Sequence, residues 1–570
     1  MRKLVYGGFL MFSCITLGQT ISKYPAEDFI SPMKIELQPS GTFGELRTNH
    51  FHAGLDFKTN KKEGYDIVAA ADGFVSRIKY STFGYGKAIY VTHYNGYTTV
   101  YAHLSQSNPE IEAYVKSNQY KNQSFEIELF PKRDEIKVKK GQVIALSGNS
   151  GGSAGPHLHF EYRDTATEDI INPFLFGLAK DFKDTQAPVL NNVLAYPVSD
   201  STVVNKSNAP VTLALNKVSE NSYIANKVLA KGAFGFGVNS YDMYDGHFNR
   251  NGVYRISVIV NGTPYYNITF DRFAFAESRY LNSYIDYALK NQTGEYVQKL
   301  FVKNPLPLSL LAHNKNKGTI DVKPGDNYNV IIKIYDFHEN VTDVTIPIAY
   351  NGAEATVKLQ ETVTDYFVVA NRENIYQKEN ITVTIPKNTF VDDFYLDFDV
   401  ANNNLKLHKK TVPAYQNILL EFDMQNEIDK GIDLKKSFIA LVEGNSITHL
   451  TTQTKGSKLT ARTKTLGKYQ ILTDTVKPRI FGLSFKENDN LDLVDSFTAY
   501  ISDDLSGIKS YNAYLNGKWI LMAYDYKTKS LIHYFSDNVF EDGKNLLKII
   551  VTDKTGNTTN LDSVFYKTKK

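Results

Sequence analysis

The sequence predicts a predominantly all-β chain built of several domains in series. Tyrosine (38) and phenylalanine (34) are heavily used beside many Thr, Val and Ile runs, the residue types that fit a pleated, half-buried surface. Asn-Gly pairs recur between segments of alternating polarity, as hairpin turns require. At 570 residues and 64.3 kDa the chain is too long for one core, and three to four domains are expected. With 42% hydrophobic and 22% charged residues the composition is globular. A net charge of +3, with no basic run interleaved with aromatics, does not argue for nucleic acid.

The N-terminus, "MRKLVYGGFLMFSCITLGQT", has a positive pair (Arg2, Lys3), an apolar stretch to about Leu17 and a small residue, Gly18. Residues 1–18 are therefore expected to be an export signal, too short for a stable membrane span. No later run approaches about 18 apolar residues, so no transmembrane segment is expected. The single cysteine, Cys14, lies in this segment. It is either a lipid-attachment residue, for which "MFSC" is a poor match, or a small apolar residue in a discarded peptide. Without it the chain has no thiol, which excludes cysteine catalysis, Cys-ligated zinc and disulfides.

Six of the twelve histidines fall in the first 159 residues, and the others are scattered singly. "GYTTVYAHLS" (96–105) alternates as a strand that carries His103 on the face of Tyr97, Thr99 and Tyr101. "GPHLHFEYR" (155–163) puts His157, His159 and Glu161 on one face and Leu158, Phe160 and Tyr162 on the other. In "HAGLDF", His52 and Asp56 are four apart, and Gly54 favours an extended segment over a helix. Catalytic zinc takes three His or Asp/Glu ligands and leaves a fourth position for water. His52, Asp56 and one of the pair His157/His159 would fill that set. His50 and His93 read as local hydrogen-bonding residues.

The run "HFHAGLDFKT…YAHLS…VKKGQVIALSGNSGGSAGPHLHFEYR" resembles the lysostaphin-type (LytM-like) zinc metallopeptidases of bacterial cell walls, from about Gly41 to Pro173. The resemblance implies an antiparallel β catalytic domain holding one zinc ion per chain through His52, Asp56 and His159. It places the two further active-site histidines at His103 and His157, and it implies a peptidoglycan peptide as substrate. This sequence departs from the family by about thirty extra residues between "YAHLS" and "VKKGQVI" (about 106–136), read as a short helix and a strand that wall the cleft. Two other motifs are dismissed. "GNSGG" (148–152) matches G-x-S-x-G but leads into the HxH strand rather than a helix, so Ser150 is a turn residue. "HENVT" at His338 lacks the second histidine of H-E-x-x-H.

After a linker-like "KDTQAP", the remaining chain repeats one grammar: "DTQAPVL" (184–190) recurs as "DTVKPRIFGL" (474–483), and "YDFHENVTDV" (335–344) is echoed by "VTDKTGNTTNL" (551–561). Short strands with turns every eight to twelve residues predict immunoglobulin-like β-sandwich domains at 184–350 (with a partly helical insertion), 351–475 and 476–570. These modules are read as spacers or as surfaces for envelope protein or glycan partners. Residues 19–183 are expected to form the peptidase domain and to fold alone. The whole reads as an exported zinc endopeptidase of the periplasm or cell envelope. The alternative is a non-catalytic envelope scaffold, or activator of other wall hydrolases, on the same fold.

Overall fold

The computed structural model describes residues 24–311, 315–359 and 362–569. The expected export signal and Cys14 lie outside the described residues. Antiparallel sheets dominate, and the protein is all-β in class. Among the described residues no helix is long and apolar enough to cross a membrane.

The N-terminal sheet runs in the spatial order Pro39–Gly41, Leu55–Lys58, His157–Asp164, Tyr97–Ala102, Lys87–His93, Gly73–Tyr80 and Ile127–Leu129. Its central strand, His157–Asp164, sets the site. It alternates as the sequence requires, with Leu158, Phe160 and Tyr162 fully buried in the main core. Register pairs His159 with Asp56 on one side and with Ala102 on the other. Gly54 makes that pairing possible, because a Cβ there would lie 2.2 Å from the carbonyl oxygen of Phe160.

The extra segment contains a helix, Pro109–Asn122, and the strand Ile127–Leu129 on the sheet edge. Asn108 caps the helix by accepting from the Ile111 N–H at 2.9 Å, with Pro109 at the first position. The segment does not wall the histidine cleft, contrary to expectation. Its helix instead meets the C-terminal strands: Lys116 Nζ lies 2.7 Å from Asp537 Oδ1, and the Tyr120 hydroxyl donates to Asp537 Oδ2 at 2.6 Å. A cleft of about 660 Å³ lies there, between Phe125 and Trp519, away from the histidines. The C-terminal strands also touch the glycine loop, where Lys527 Nζ donates to the carbonyl of Ser153 at 3.3 Å.

Strands between 189 and 350 form the next sheets, which share a core with the N-terminal unit. Phe43, Phe51, Ala53 and Ile170 are buried among Phe270, Phe273 and Tyr284, and Ile170–Ile171 pairs with Arg272–Phe273. The chain crosses a linker at 184, but the packing is continuous across it. A chain ending at 183 is therefore expected to lose about 3–6 kcal/mol from exposure of Phe43 and Phe51 alone. It should melt well below a chain ending at 350, and equal melting temperatures would contradict this. Farther on, two five-stranded sheets between 374 and 473 enclose one core, and a four- and a five-stranded sheet between 479 and 567 enclose another.

Candidate metal centre

His52, Asp56 and His159 converge at the end of the N-terminal sheet, each at most 5% exposed. His52 Nε2 stands 3.1 Å from Asp56 Oδ1 and 3.0 Å from His159 Nδ1, and His159 Nδ1 stands 2.8 Å from Asp56 Oδ1. Tetrahedral zinc with bonds of about 2.0–2.1 Å spaces its ligands about 3.3 Å apart, so the triangle is of the right size.

The far side of each group decides which atoms face the centre. His52 Nδ1 lies 2.8 Å from the carbonyl oxygen of Thr42, an acceptor only, so this nitrogen carries the proton and Nε2 presents a lone pair. His159 Nε2 lies 2.9 Å from Glu161 Oε1 and donates to it, which leaves Nδ1 as the lone pair. Asp56 Oδ2 is held by Arg47 Nη2 at 2.6 Å, which turns Oδ1 inward. Three electron-rich atoms thus meet in a buried space, and either a proton or a cation must sit among them.

Protonation follows the same map. Burial presses His52 down to about 4. Burial opposes charge on His159 as well, but hydrogen bonds to Asp56 and Glu161 carry it up to about 9. Burial would raise Asp56, yet His52 and the neighbouring imidazoles hold it well below the usual carboxylate range. Glu161 is buried but brought down to about 2 by Arg163 and His159. Divalent metal therefore competes with the proton on His159, and its uptake would release that proton.

His157 Nε2 lies 3.5 Å from Asp56 Oδ1, and its Nδ1 lies 2.8 Å from the carbonyl oxygen of Gly155 and 3.0 Å from Ser153 Oγ. His103 Nδ1 donates to the Ser150 carbonyl oxygen at 2.9 Å, and its ring lies 4.7 Å from that of His157. Both histidines line a cleft of about 710 Å³ with Asp56, Arg47, Lys58 and Lys61. His103 corrects the strand reading. The strand ends at Ala102, and simple alternation would put His103 on the core face with Tyr101. A left-handed backbone at His103 (φ 60°) turns the ring back to the site.

His93 and His50 stay apart from the centre. His93 is buried between the Asp72 carbonyl and Thr99 Oγ1, and His50 is exposed beside Thr48. Ser150 anchors the glycine loop, accepting from the Lys87 N–H at 2.9 Å and donating to the Leu104 carbonyl at 2.8 Å. The sequence reading gave no role to Glu161, Arg163, Tyr85, Arg47 or Thr42. Arg163 Nε donates to Glu161 Oε2 at 2.7 Å, and the Tyr85 hydroxyl donates to Oε1. Only Glu161 and Arg163 left a signal, as the next same-face positions of "HLHFEYR".

Two imidazoles and one carboxylate, with two more imidazoles at the mouth of the cleft, make the donor set of a mononuclear metallopeptidase. The sequence model of Peptidase family M23 matches residues 50–121 and 125–173, and this segment is a Peptidase family M23 domain. A Zu5-like domain model matches residues 365–474. The chain is 35% identical over 166 residues to an uncharacterized metalloprotease of Haemophilus influenzae, covering 29% of this chain and 28% of that protein. It is 33% identical over 118 residues to the DD-carboxypeptidase/endopeptidase Mpg of Neisseria meningitidis, covering 21% of each. The chain thus spans less than a third of the length of these relatives. The catalytic domain of lysostaphin from Staphylococcus simulans aligns over 25% of this chain and 91% of its own, with 24% identity and a TM-score of 0.19.

Proposed function

We propose that the protein is an exported zinc endopeptidase that hydrolyses peptide bonds in peptidoglycan stems or cross-bridges. The observation that carries the reading is the convergence of three lone pairs at 2.8–3.1 Å, each fixed by a partner on its far side. In this reading His52, Asp56 and His159 hold the ion, with the domain boundaries at 184, 351 and 476 as read from the sequence. When bound, zinc supplies a Lewis acid for the scissile carbonyl and lowers the pKa of water. The chain's own groups do the rest. His103, held neutral by burial, and His157 each tie Nδ1 to a backbone carbonyl and turn Nε2 to the cleft, where it can accept a proton or orient water. Arg47, Lys58 and Lys61 on the cleft wall suit a peptide that carries free carboxylates.

The substrate class rests on the names of relatives: besides Mpg, a peptidoglycan DD-endopeptidase ShyC of Vibrio cholerae is 32% identical over 111 residues. Envelope location follows from that substrate. The test is to incubate the full-length protein with purified sacculi, with and without chelator, and identify released fragments by mass spectrometry. Chelator-sensitive release of peptide-cleaved fragments is expected, and no release by the zinc-loaded protein would leave the scaffold reading.

Glu161 provides an independent check. Glu161→Gln keeps the shape but weakens the acceptor that fixes the His159 tautomer. Zinc affinity, measured by competition with a chromophoric chelator, is expected to fall about 10–100-fold. Unchanged affinity would remove Glu161 from the support of the centre.

A further inference from the structure

A second cluster of ionisable groups lies where the M23 domain joins the next sheets. Asp184 opens "DTQAP", and its side chain is fully buried. Its Oδ1 accepts from the Gln186 N–H at 3.1 Å, while Oδ2 has no hydrogen-bond partner and lies 3.7 Å from His338 Nδ1. His338 Nε2 faces the Ala179 carbonyl oxygen at 3.3 Å and so carries the ring proton, which leaves Nδ1 as a buried lone pair, also unpartnered. Asp336 is 1% exposed and accepts from Asn340 through both oxygens, at 2.9 and 2.7 Å. One donor atom from each of Asp184, Asp336 and His338 lies within 4.8 Å of the others. Asp242, 1% exposed, lies near enough to be repelled by Asp184 and Asp336, and its Oδ1 has no partner.

Three buried carboxylates with no lysine or arginine in ion-pair reach, among the described residues, cannot all be charged without a cation. Burial and mutual repulsion push Asp242 up to about 9 and Asp184 up to about 6.

The C-terminal module supplies the comparison. There Asp474, Asp503 and Asp553 cluster at the matching places of the repeated grammar. That cluster is closed by the chain's own N–H groups. Asp474 accepts from Val476 and Ser506 at 3.1 Å each, Asp503 from Gly507 at 2.7 Å, and Asp553 from Thr555 and Asn557 at 2.9 Å each. Where that module has Thr555, donating to the carbonyl oxygen of Asp474, the first has His338 with a free lone pair. One framework thus occurs twice, and in the first copy Asp184 Oδ2, Asp242 Oδ1 and His338 Nδ1 are left without a partner.

We propose that Asp184, Asp336 and His338 form a second divalent-cation site, distinct from the M23 centre, that clamps this joint. Bonds of roughly 2.1–2.4 Å in an octahedral shell put neighbouring ligands about 3.2 Å and opposite ligands about 4.5 Å apart, and the three donor atoms here all lie within 4.8 Å of one another. Carboxylates suit Mg²⁺, Ca²⁺ and Mn²⁺, and imidazole suits Zn²⁺ and its neighbours, so the mixed set favours an Mn²⁺-like ion. The clamp would act on the turns that follow the M23 segment and pack into its core. His338 contacts Ala179, Phe337 packs on Phe174 with centroids 5.1 Å apart, and Tyr244 packs on Phe182 at 5.9 Å.

The experiment uses the full-length chain carrying H52A and H159A, so that the M23 centre takes no ion. After chelator treatment it is titrated with Mn²⁺ and followed by electron paramagnetic resonance, with Zn²⁺ and Ca²⁺ as competitors. One Mn²⁺ per chain and a melting temperature raised by several degrees are expected. Both effects should vanish on adding D184N or H338A and persist on adding D503N. Asp184→Asn removes a buried charge whose Oδ2 has no hydrogen-bond partner, so without metal it should melt at or above its parent. His338→Ala lies at a partly exposed position and carries the test if D184N fails to fold. Failure of the folded chain to take up any of the three ions, or uptake unaffected by H338A, would overturn the proposal and leave a trio held neutral by protons. Activity is not the readout, so the outcome is separate from that of the peptidase reading.

Discussion

His159→Ala, Asp56→Ala and His52→Ala are each expected to remove tightly bound zinc from the M23 centre and, with it, hydrolysis of sacculi. Four-ligand zinc sites bind with about 10–16 kcal/mol, or about 3 kcal/mol per ligand, so losing one should weaken binding at least about a hundredfold. The three losses differ in what they leave behind. His159→Ala strands Glu161 with Arg163 and Tyr85, partners that still satisfy it. Asp56→Ala leaves Arg47 to Glu45, 3.3 Å from its Nε. His52→Ala leaves the Thr42 carbonyl without the imidazole donor, although Thr42 still binds the N–H of Gly252 through Oγ1 at 2.9 Å. None of these should unfold the sheet, which near-UV circular dichroism would check. His93→Ala is the control. It breaks two buried contacts, to Asp72 and Thr99, and should cost about 1–3 kcal/mol of stability with zinc content unchanged. Zinc lost from His93→Ala but kept by His159→Ala, in folded proteins, would sink the ligand assignment.

The donors were legible because they are local and periodic. "HLHFEYR" states which side chains share a face, and a strand needs only its own sequence to do so. His52 and Asp56 were readable by the same rule once Gly54 spoke against a helix. Apart from Glu161, two residues beyond His159, what fixes these donors is not legible, because it comes from other strands and turns. The Thr42 carbonyl sits ten residues from His52, and the Thr42 hydroxyl in turn binds the N–H of Gly252, 210 residues away. Tyr85 reaches Glu161 across 76 residues. His103 shows the limit of periodicity itself. The period-two rule assigns it to the wrong face, and one left-handed residue reverses the assignment. The inserted helix is legible as a helix, but its partner, Asp537, has no sequence cue that links it to residue 116. The shared core of Phe43, Phe51 and Phe273 was hidden in the same way, behind a linker-like phrase at 184.

The second large effect separates chemistry from metal binding. His103→Asn and His157→Ala are expected to keep zinc and to lose about two to four orders of magnitude in turnover, the usual worth of an acid–base partner. Asparagine is the better replacement at 103 because it tolerates the left-handed backbone there, so a loss cannot be charged to strain. His103 is held neutral, since burial beside His157 and His159 presses it down to about 3. With Nδ1 donating to Ser150, it faces the cleft as a lone pair at any ordinary pH. It is therefore suited to orient a water more than to store its proton. His157 is less buried, with its side chain 17% exposed, and stands 3.5 Å from Asp56. Both variants should be assayed at saturating zinc, with zinc content measured on the same samples. Turnover within about threefold of wild type in either zinc-loaded variant is far short of the expected loss, and it would remove that histidine from the mechanism.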